Sequence, residues 1–280
     1  MNINIYNENR NFAQIKKHYE IEKGLAQKLL ASQKEERKYL YTYLYDQLFQ
    51  LVPHHPQIFI KENTKIASTK IAQKMKLLSK YLSKNVVFLE IGAGDCKLSF
   101  EVAQDVKQVY AVDVSEEIVK HLNPPANFQL IISDGCSIPT PENSVNVAYS
   151  NQLMEHLHPD DALEQLRNIY QAITPGGYYI CITPNRLSGP HDISRHFDEV
   201  ATGFHLKEYT YSELSNLFAQ VGFGKLVTYI GGAGIYFRFP LVLIKLLEHV
   251  FCIMPFLLRQ KLARSLLGRA LLGIIIVAQK

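Results

Sequence analysis

The 280-residue sequence has no Trp, and its four cysteines, Cys96, Cys136, Cys181 and Cys252, stand far apart without a CxxC pair. That spacing signals neither a zinc module nor a disulfide framework and fits a reducing compartment. Residues 1–12 lack an apolar stretch and a small-residue cleavage site, so export is not expected and a cytoplasmic location is. A mean hydropathy of −0.06 leaves no room for a bundle of membrane helices. What is present is a 47% hydrophobic chain with 20% charged residues, long enough to bury a substantial core in one α/β domain with additions.

The net charge of +4 is unevenly spread. Residues 1–85 carry 15 Lys and Arg against 7 Asp and Glu, residues 86–234 carry 8 against 18, and residues 235–280 carry 7 against 1. Electrostatic partners, if any, would be met by the basic ends, although solvated helix faces explain the pattern equally well.

The stretch Ile15 to Leu51 has no Pro, and its apolar positions, among them Ile21, Leu25 and Leu29, then Leu40, Leu44 and Leu48, recur every three or four residues. This predicts amphipathic helices, closed by Pro53 to Pro56 and followed by another helix over Ser68–Ser83. From Val86 the period changes. Strand runs at Val86–Ile91, Gln108–Val112, Phe128–Ile132, Val145–Tyr149 and Tyr178–Thr183 alternate with helical stretches at Leu98–Ala103, Glu116–Leu122 and Ala162–Ile173. A polar loop, Pro184–His205, precedes a helix over Tyr211–Val221, a strand at Leu226–Ile230 and a last strand within 273–280. The expected fold is α/β, a doubly wound, mostly parallel sheet of seven strands. The expected organisation is an N-terminal helical extension (1–85), a core (86–232), an apolar, basic helical insertion (233–272) and the final core strand (273–280). The charges and Pro255 break the insertion before it could span a bilayer, which leaves a lid, a dimer face or a membrane-surface helix.

Glu90-Ile91-Gly92-Ala93-Gly94-Asp95-Cys96 ends the first strand and opens a helix, where glycines admit a ligand to backbone N–H groups. Asp113 follows Gly92 by 21 residues at the end of the second strand, where a carboxylate can accept from ribose hydroxyls. A dinucleotide fingerprint needs a sixth-position Gly, and Lys97 stands there. Acidic Glu90 suits a cationic sulfonium ligand better than a pyrophosphate. With Ser133-Asp134-Gly135, Ser150–His156 and Thr174-Pro175-Gly176-Gly177, these features make residues 86–230 and the final strand resemble the class I S-adenosylmethionine-dependent methyltransferases, most closely the small-molecule type related to ubiquinone-pathway O-methyltransferases. The resemblance implies a Rossmann-like fold with S-adenosylmethionine as cofactor. Gly92 and Gly94 would line its methionine portion, Asp113 would hold the ribose, Asp134 would receive the adenine amino group, and Asn151 would flank the sulfonium. The family loop usually ends in Gly where this chain has Cys96.

Methyl transfer from a sulfonium needs alignment, and a general base only when the acceptor carries a proton. Five of ten histidines, at 156, 158, 191, 196 and 205, fall within 50 residues. His156 and His205 are the base candidates. His191, Arg195, His196 and Tyr209 are substrate-binding candidates, the Arg suited to a carboxylate or phosphate. Ubiquinone-pathway relatives carry a metal-binding Glu-x-x-Glu-His at the place of Gln152–His156. Gln152 is a weaker ligand for a hard ion than Glu, so no divalent metal is expected.

The Asn/Asp-Pro-Pro-aromatic signature of nucleic-acid amino-methyltransferases is replaced by Ser150-Asn151-Gln152-Leu153, which argues against a nucleic-acid acceptor. The expected function is methylation, preferably at oxygen, of a small, partly apolar acceptor beneath a lid made by the N-terminal helices and the 233–272 insertion. Two alternatives stand beside it: an S-adenosylmethionine-binding protein without turnover, attached to a membrane or partner, and an RNA methyltransferase. Peripheral membrane contact is left open, as is the oligomeric state.

Overall fold

The computed structural model describes residues 10–56, 64–114 and 123–280. The amphipathic first zone forms α1 (Phe12–Ala31), α2 (Lys34–Leu51) and α3 (Thr64–Leu78). A reciprocal capping box starts α1: Gln14 N–H donates to the Asn11 side chain and Asn11 N–H to the Gln14 side chain. Leu25 and Leu29 of α1 and Leu44 and Leu48 of α2 then enter the same core as Ile91, Val112 and Met154, so the helical extension is packed onto the sheet.

The sheet comprises β1 (Val87–Ile91), β2 (Gln108–Asp113), β3 (Phe128–Ile132), β4 (Val145–Asn151), β5 (Ile173–Thr183), β6 (Lys225–Gly232), β7 (Ile235–Phe239) and β8 (Ile274–Gln279). Their order is β3-β2-β1-β4-β5-β8-β6-β7. Strands β1 to β5 run parallel, and β8 lies antiparallel between β5 and β6. Crossovers are made by α4 (Lys97–Ala103), α5 (Pro159–Ala172) and α6 (Tyr211–Val221), while the expected helix Glu116–Leu122 lies outside the described residues. The strand order reverses between β1 and β4, which puts the topological switch point beside the loops after these strands, where doubly wound sheets take their ligands.

Eight strands replace the expected seven. The eighth, β7, comes from the start of what read as a helical insertion. Ala233 and Gly234 both take positive φ, 52° and 87°, and so form a two-residue hairpin turn that folds β7 back on β6. The rest of that segment is helical as expected, in three pieces: α7 (Leu241–Ile253), α8 (Phe256–Ala263) and α9 (Leu266–Leu272). Ser265 separates α8 from α9, because its hydroxyl accepts from Gly268 N–H and caps α9. Buried Glu248 on α7 accepts from the N–H groups of Tyr211 and Ser212 and from the Asn185 amide, which ties α7 to the start of α6 and to the loop after β5. No described helix is long and apolar enough to cross a membrane.

Candidate active site

At the switch point a cavity of about 710 Å³ opens between the ends of β1, β2 and β4 and the helices α2 and α3. Its floor is the first glycine loop. Gly92 and Gly94 hold left-handed backbone at φ 69° and 54°, and a Cβ on Gly94 would point into open space. Cys96 shares this conformation at φ 54° although it is not Gly; its thiol is buried, and burial pushes it up to about 12. Asp113 closes the loop by accepting Gly94 N–H at 2.7 Å. Gly92, Gly94, Asp113 and Asn151 line the cavity together.

Two other cofactor candidates do not line it. Glu90 is buried behind the loop, where Ser99 Oγ donates to it at 2.6 Å, and burial raises its carboxyl to about 7. Asp134 is taken up by its own turn, accepting from Cys136 N–H, Ser137 N–H and the Ser137 hydroxyl, while its neighbours Ser133 and Gly135 face the cavity. The roof was not foreseen in detail: Tyr41, Thr42 and Tyr45 come from α2, and Lys70 and Lys74, four residues apart, come from α3. Buried Arg37 fixes α2 here. Its Nε and Nη2 each donate to a carboxylate oxygen of Asp161 on α5 at 2.7 Å, and the Tyr41 hydroxyl joins them.

A second cavity, of about 210 Å³, adjoins the first, and Tyr45 and His156 line both. One wall is the loop after β5, carrying His191, Arg195 and His205; the other is the N-terminal extension, with Arg10, His18, Glu22 and His55. The acids of this region are engaged within the protein. Asp192 accepts from Gly203 N–H and the Ser194 hydroxyl, and Glu22 accepts from His18 Nε2–H at 2.7 Å and Phe204 N–H at 2.9 Å. Burial works against the Glu22 charge, but His18 and the Phe204 amide hold its carboxyl below the usual range. Leu48, Pro56, Ile193 and Phe204 supply the apolar part of the lining.

The two base candidates stand against each other, rings 4.9 Å apart. Burial and neighbouring His205 push His156 down to about 3, and with Nδ1–H donated to the Phe204 carbonyl the ring is neutral with Nε2 as its acceptor. His205 goes the other way: burial lowers it, but Glu208, which accepts from Nδ1 at 2.7 Å, and Glu155 hold it above its ordinary value. Glu155, raised to about 7 by burial, keeps Oε1 without a hydrogen-bond partner among the described residues. Glu155, His156 and His205 bring donor atoms within 4.8 Å of one another. A divalent ion there would have to displace the proton that Glu208 and Glu155 hold on His205.

Tyr209 and His196 leave the expected set. Tyr209 is buried in the main core, where its backbone bridges Asn185, and His196 lines neither cavity, its ring receiving Arg195 Nε–H. The insertion also lines neither cavity, so among the described residues the roof comes from the N-terminal extension.

Residues 89–181 match the family described as "Methyltransferase domain". A probable S-adenosylmethionine-dependent methyltransferase of Mycolicibacterium smegmatis is 29% identical over 138 residues, 48% of this chain and 51% of the relative. The chain thus spans about half the length of that curated relative. A solved S-adenosylmethionine-dependent methyltransferase from Archaeoglobus fulgidus superposes with a TM-score of 0.55 at 18% identity, covering 80% of this chain and all of the other. Phosphoethanolamine N-methyltransferase 1 of Haemonchus contortus, solved with phosphoethanolamine and S-adenosylhomocysteine, gives 0.54 at 16% identity over 89% of this chain and 50% of its own. The fold is the Rossmann-like methyltransferase fold. The antiparallel β8 extends its parallel core, β1 to β5, beside β5, the β6–β7 hairpin is appended at the far edge, and the larger cavity lies at the switch point between β1 and β4.

Proposed function

We propose that this chain is an S-adenosylmethionine-dependent methyltransferase acting at oxygen on a small acceptor that carries an anionic group and an apolar body. The observation that carries the reading is the junction of a cofactor-sized cavity with a smaller one at Tyr45 and His156. Gly92 and Gly94 with Lys74 would hold the methionine end, the lysine suiting its carboxylate, and Asp113 the ribose. When bound, the cofactor supplies a methyl group on a positively charged sulfur, already activated to leave. Arg10 and Arg195 favour a carboxylate or phosphate in the smaller cavity, and Leu48 and Ile193 favour carbon beside it. His156 Nε2 takes the acceptor proton. A base near 3 suffices, because an oxygen gaining a methyl group becomes strongly acidic. The relation to ubiquinone-pathway enzymes rests on the 152–156 segment, with Gln152 as the departure.

The test is transfer of labelled methyl into lipid, protein, RNA and aqueous small-molecule fractions of an extract. Label is expected in aqueous anions, unaffected by prior treatment with a chelator. His156→Gln should lower kcat about 10²- to 10⁴-fold, the range of a lost general base, with cofactor affinity unchanged. Label in RNA, or equal turnover by the variant, would sink this reading.

A further inference from the structure

The most conspicuous feature outside the two cavities is the outer face of α7 to α9. On α7 the inward stripe is Leu241, Ile244, Glu248 and Phe251, a helical period that completes one packed face. The opposite stripe, Val242, Leu246, Val250 and Ile253, has the same period and is also apolar, yet it is exposed, Val242 to 69% and Ile253 to 72%. Leu257 at 81% and Leu266 at 90% continue this exposure on α8 and α9. One surface-exposed leucine is ordinary, but a helix-periodic apolar stripe continued by exposed leucines on the next two helices marks a surface that something covers.

The charge around these residues is of one sign. Lys261 follows Leu257 by four residues, Arg269 follows Leu266 by three, and Arg264 stands between the two helices, so cations share the exposed faces with the leucines. Residues 235–280 hold a single acid, Glu248, which is buried and engaged in capping α6. Burial and the nearby cations Arg195 and Arg269 lower Arg264, so the positive charges of this surface stand close together.

We propose that α7, α8 and α9 form a docking surface for an anionic lipid bilayer, lying in its headgroup region with the leucines inserted. Three observations select this occupant. At 13 residues α7 is about 20 Å long, too short to cross a hydrocarbon core of about 30 Å but suited to lie along its surface. The apolar groups are protruding aliphatic side chains with interspersed Lys and Arg, the pattern of interfacial helices, rather than the aromatic-rich centre of a protein interface. A symmetric contact with a second copy would set this basic surface against itself, whereas anionic headgroups neutralise it. The proposal does not depend on the reading of the two cavities.

The test is flotation of the full chain with phosphatidylcholine vesicles, with and without phosphatidylglycerol, at low and high salt. Binding is expected only with phosphatidylglycerol and should weaken with salt. The combined change Lys261→Glu, Arg264→Glu, Arg269→Glu should lower partition by more than fivefold for each cation removed, since about 1 kcal/mol per basic residue corresponds to roughly fivefold. Leu246→Glu with Leu257→Glu and Leu266→Glu should abolish it, and because all six side chains are outside the core, circular dichroism melts should match wild type. Failure to float at low salt, equal binding to neutral vesicles, or vesicle-independent dimers dissolved by the leucine changes would each overturn the proposal.

Discussion

Neighbouring titratable groups in this protein are driven apart by their surroundings, and Glu90 shows this at the scale of one residue. Its carboxyl is raised from 4.5 to about 7 chiefly by burial. The sign follows from linkage: below pH 4.5 both folded and unfolded chains are protonated and nothing is lost; between 4.5 and 7 the unfolded chain ionises first, and above 7 the folded state bears the whole cost. Glu90→Gln should therefore be neutral at pH 4.5 and stabilise by up to roughly 3 kcal/mol at pH 8, at about 1.4 kcal/mol per pKa unit. Denaturant melts at the two pH values measure this, and an equal gain at both would refute it. The same residue shows how far sequence reading reached. That Gly92, Gly94, Asp113 and Asn151 would meet around one cavity was legible, because loops that follow the strands of a doubly wound sheet converge at its switch point. The direction of Glu90 was not, because four of the five β1 residues are buried and no alternation reveals which way each points. Asp134 and Tyr209 were misplaced for a related reason: an Asx turn and a core tyrosine look the same in sequence as ligand-binding groups.

Between elements, the contact that matters most to the larger cavity is the buried fork of Arg37 on Asp161, joining α2 to α5. Both groups are removed from water, so the pair yields little net stability, but removing one partner leaves the other charge stranded. Asp161→Ala should cost about 3–5 kcal/mol, the range for a broken buried pair, and should weaken cofactor binding because Tyr41, Thr42 and Tyr45 ride on the same helix. Arg37→Met with Asp161→Leu should recover most of the stability. Urea melts with a cofactor titration check both; a full-sized loss of stability in the double variant would show that the fork itself, rather than the stranded charge, is what counts. No sequence pattern announces such a pair across 124 positions, whereas α2 itself was legible from its period. β7 was missed because a strand of five residues with apolar groups exposed at Ile235 and Phe237 cannot be told from the start of an apolar helix; the run Gly231-Gly232-Ala233-Gly234 was the available signal for a hairpin.

Across the whole molecule, the cavities and the outer face of α7 to α9 are built by different parts of the chain. The larger cavity takes its roof from α2 and α3 and its floor from the loops after β1, β2 and β4, and no residue beyond 205 lines either cavity. The outer helices meet the loop after β5 through Glu248 on Asn185, through Gln260 Nε2–H donating to the Gly189 carbonyl, and through Leu187 packed with Phe251, Ala263 and Leu272. A ligand in the larger cavity should then order the roof without reaching the outer face. S-adenosylhomocysteine at a hundred times its Kd should add about 2.7 kcal/mol to folding stability. Hydrogen exchange should show the local share of that gain as slowed exchange of α2 and of the 92–96 loop, beyond the uniform gain that any global stabilisation gives to the core. The amides of α7 to α9 lie away from that cavity, so their exchange should change little beyond the uniform gain, while anionic vesicles should protect these helices and leave the 92–96 loop as it was. Protection of all these segments by either ligand alone would mean that the outer face and the cavities form one cooperative unit, and the separation argued here would fail.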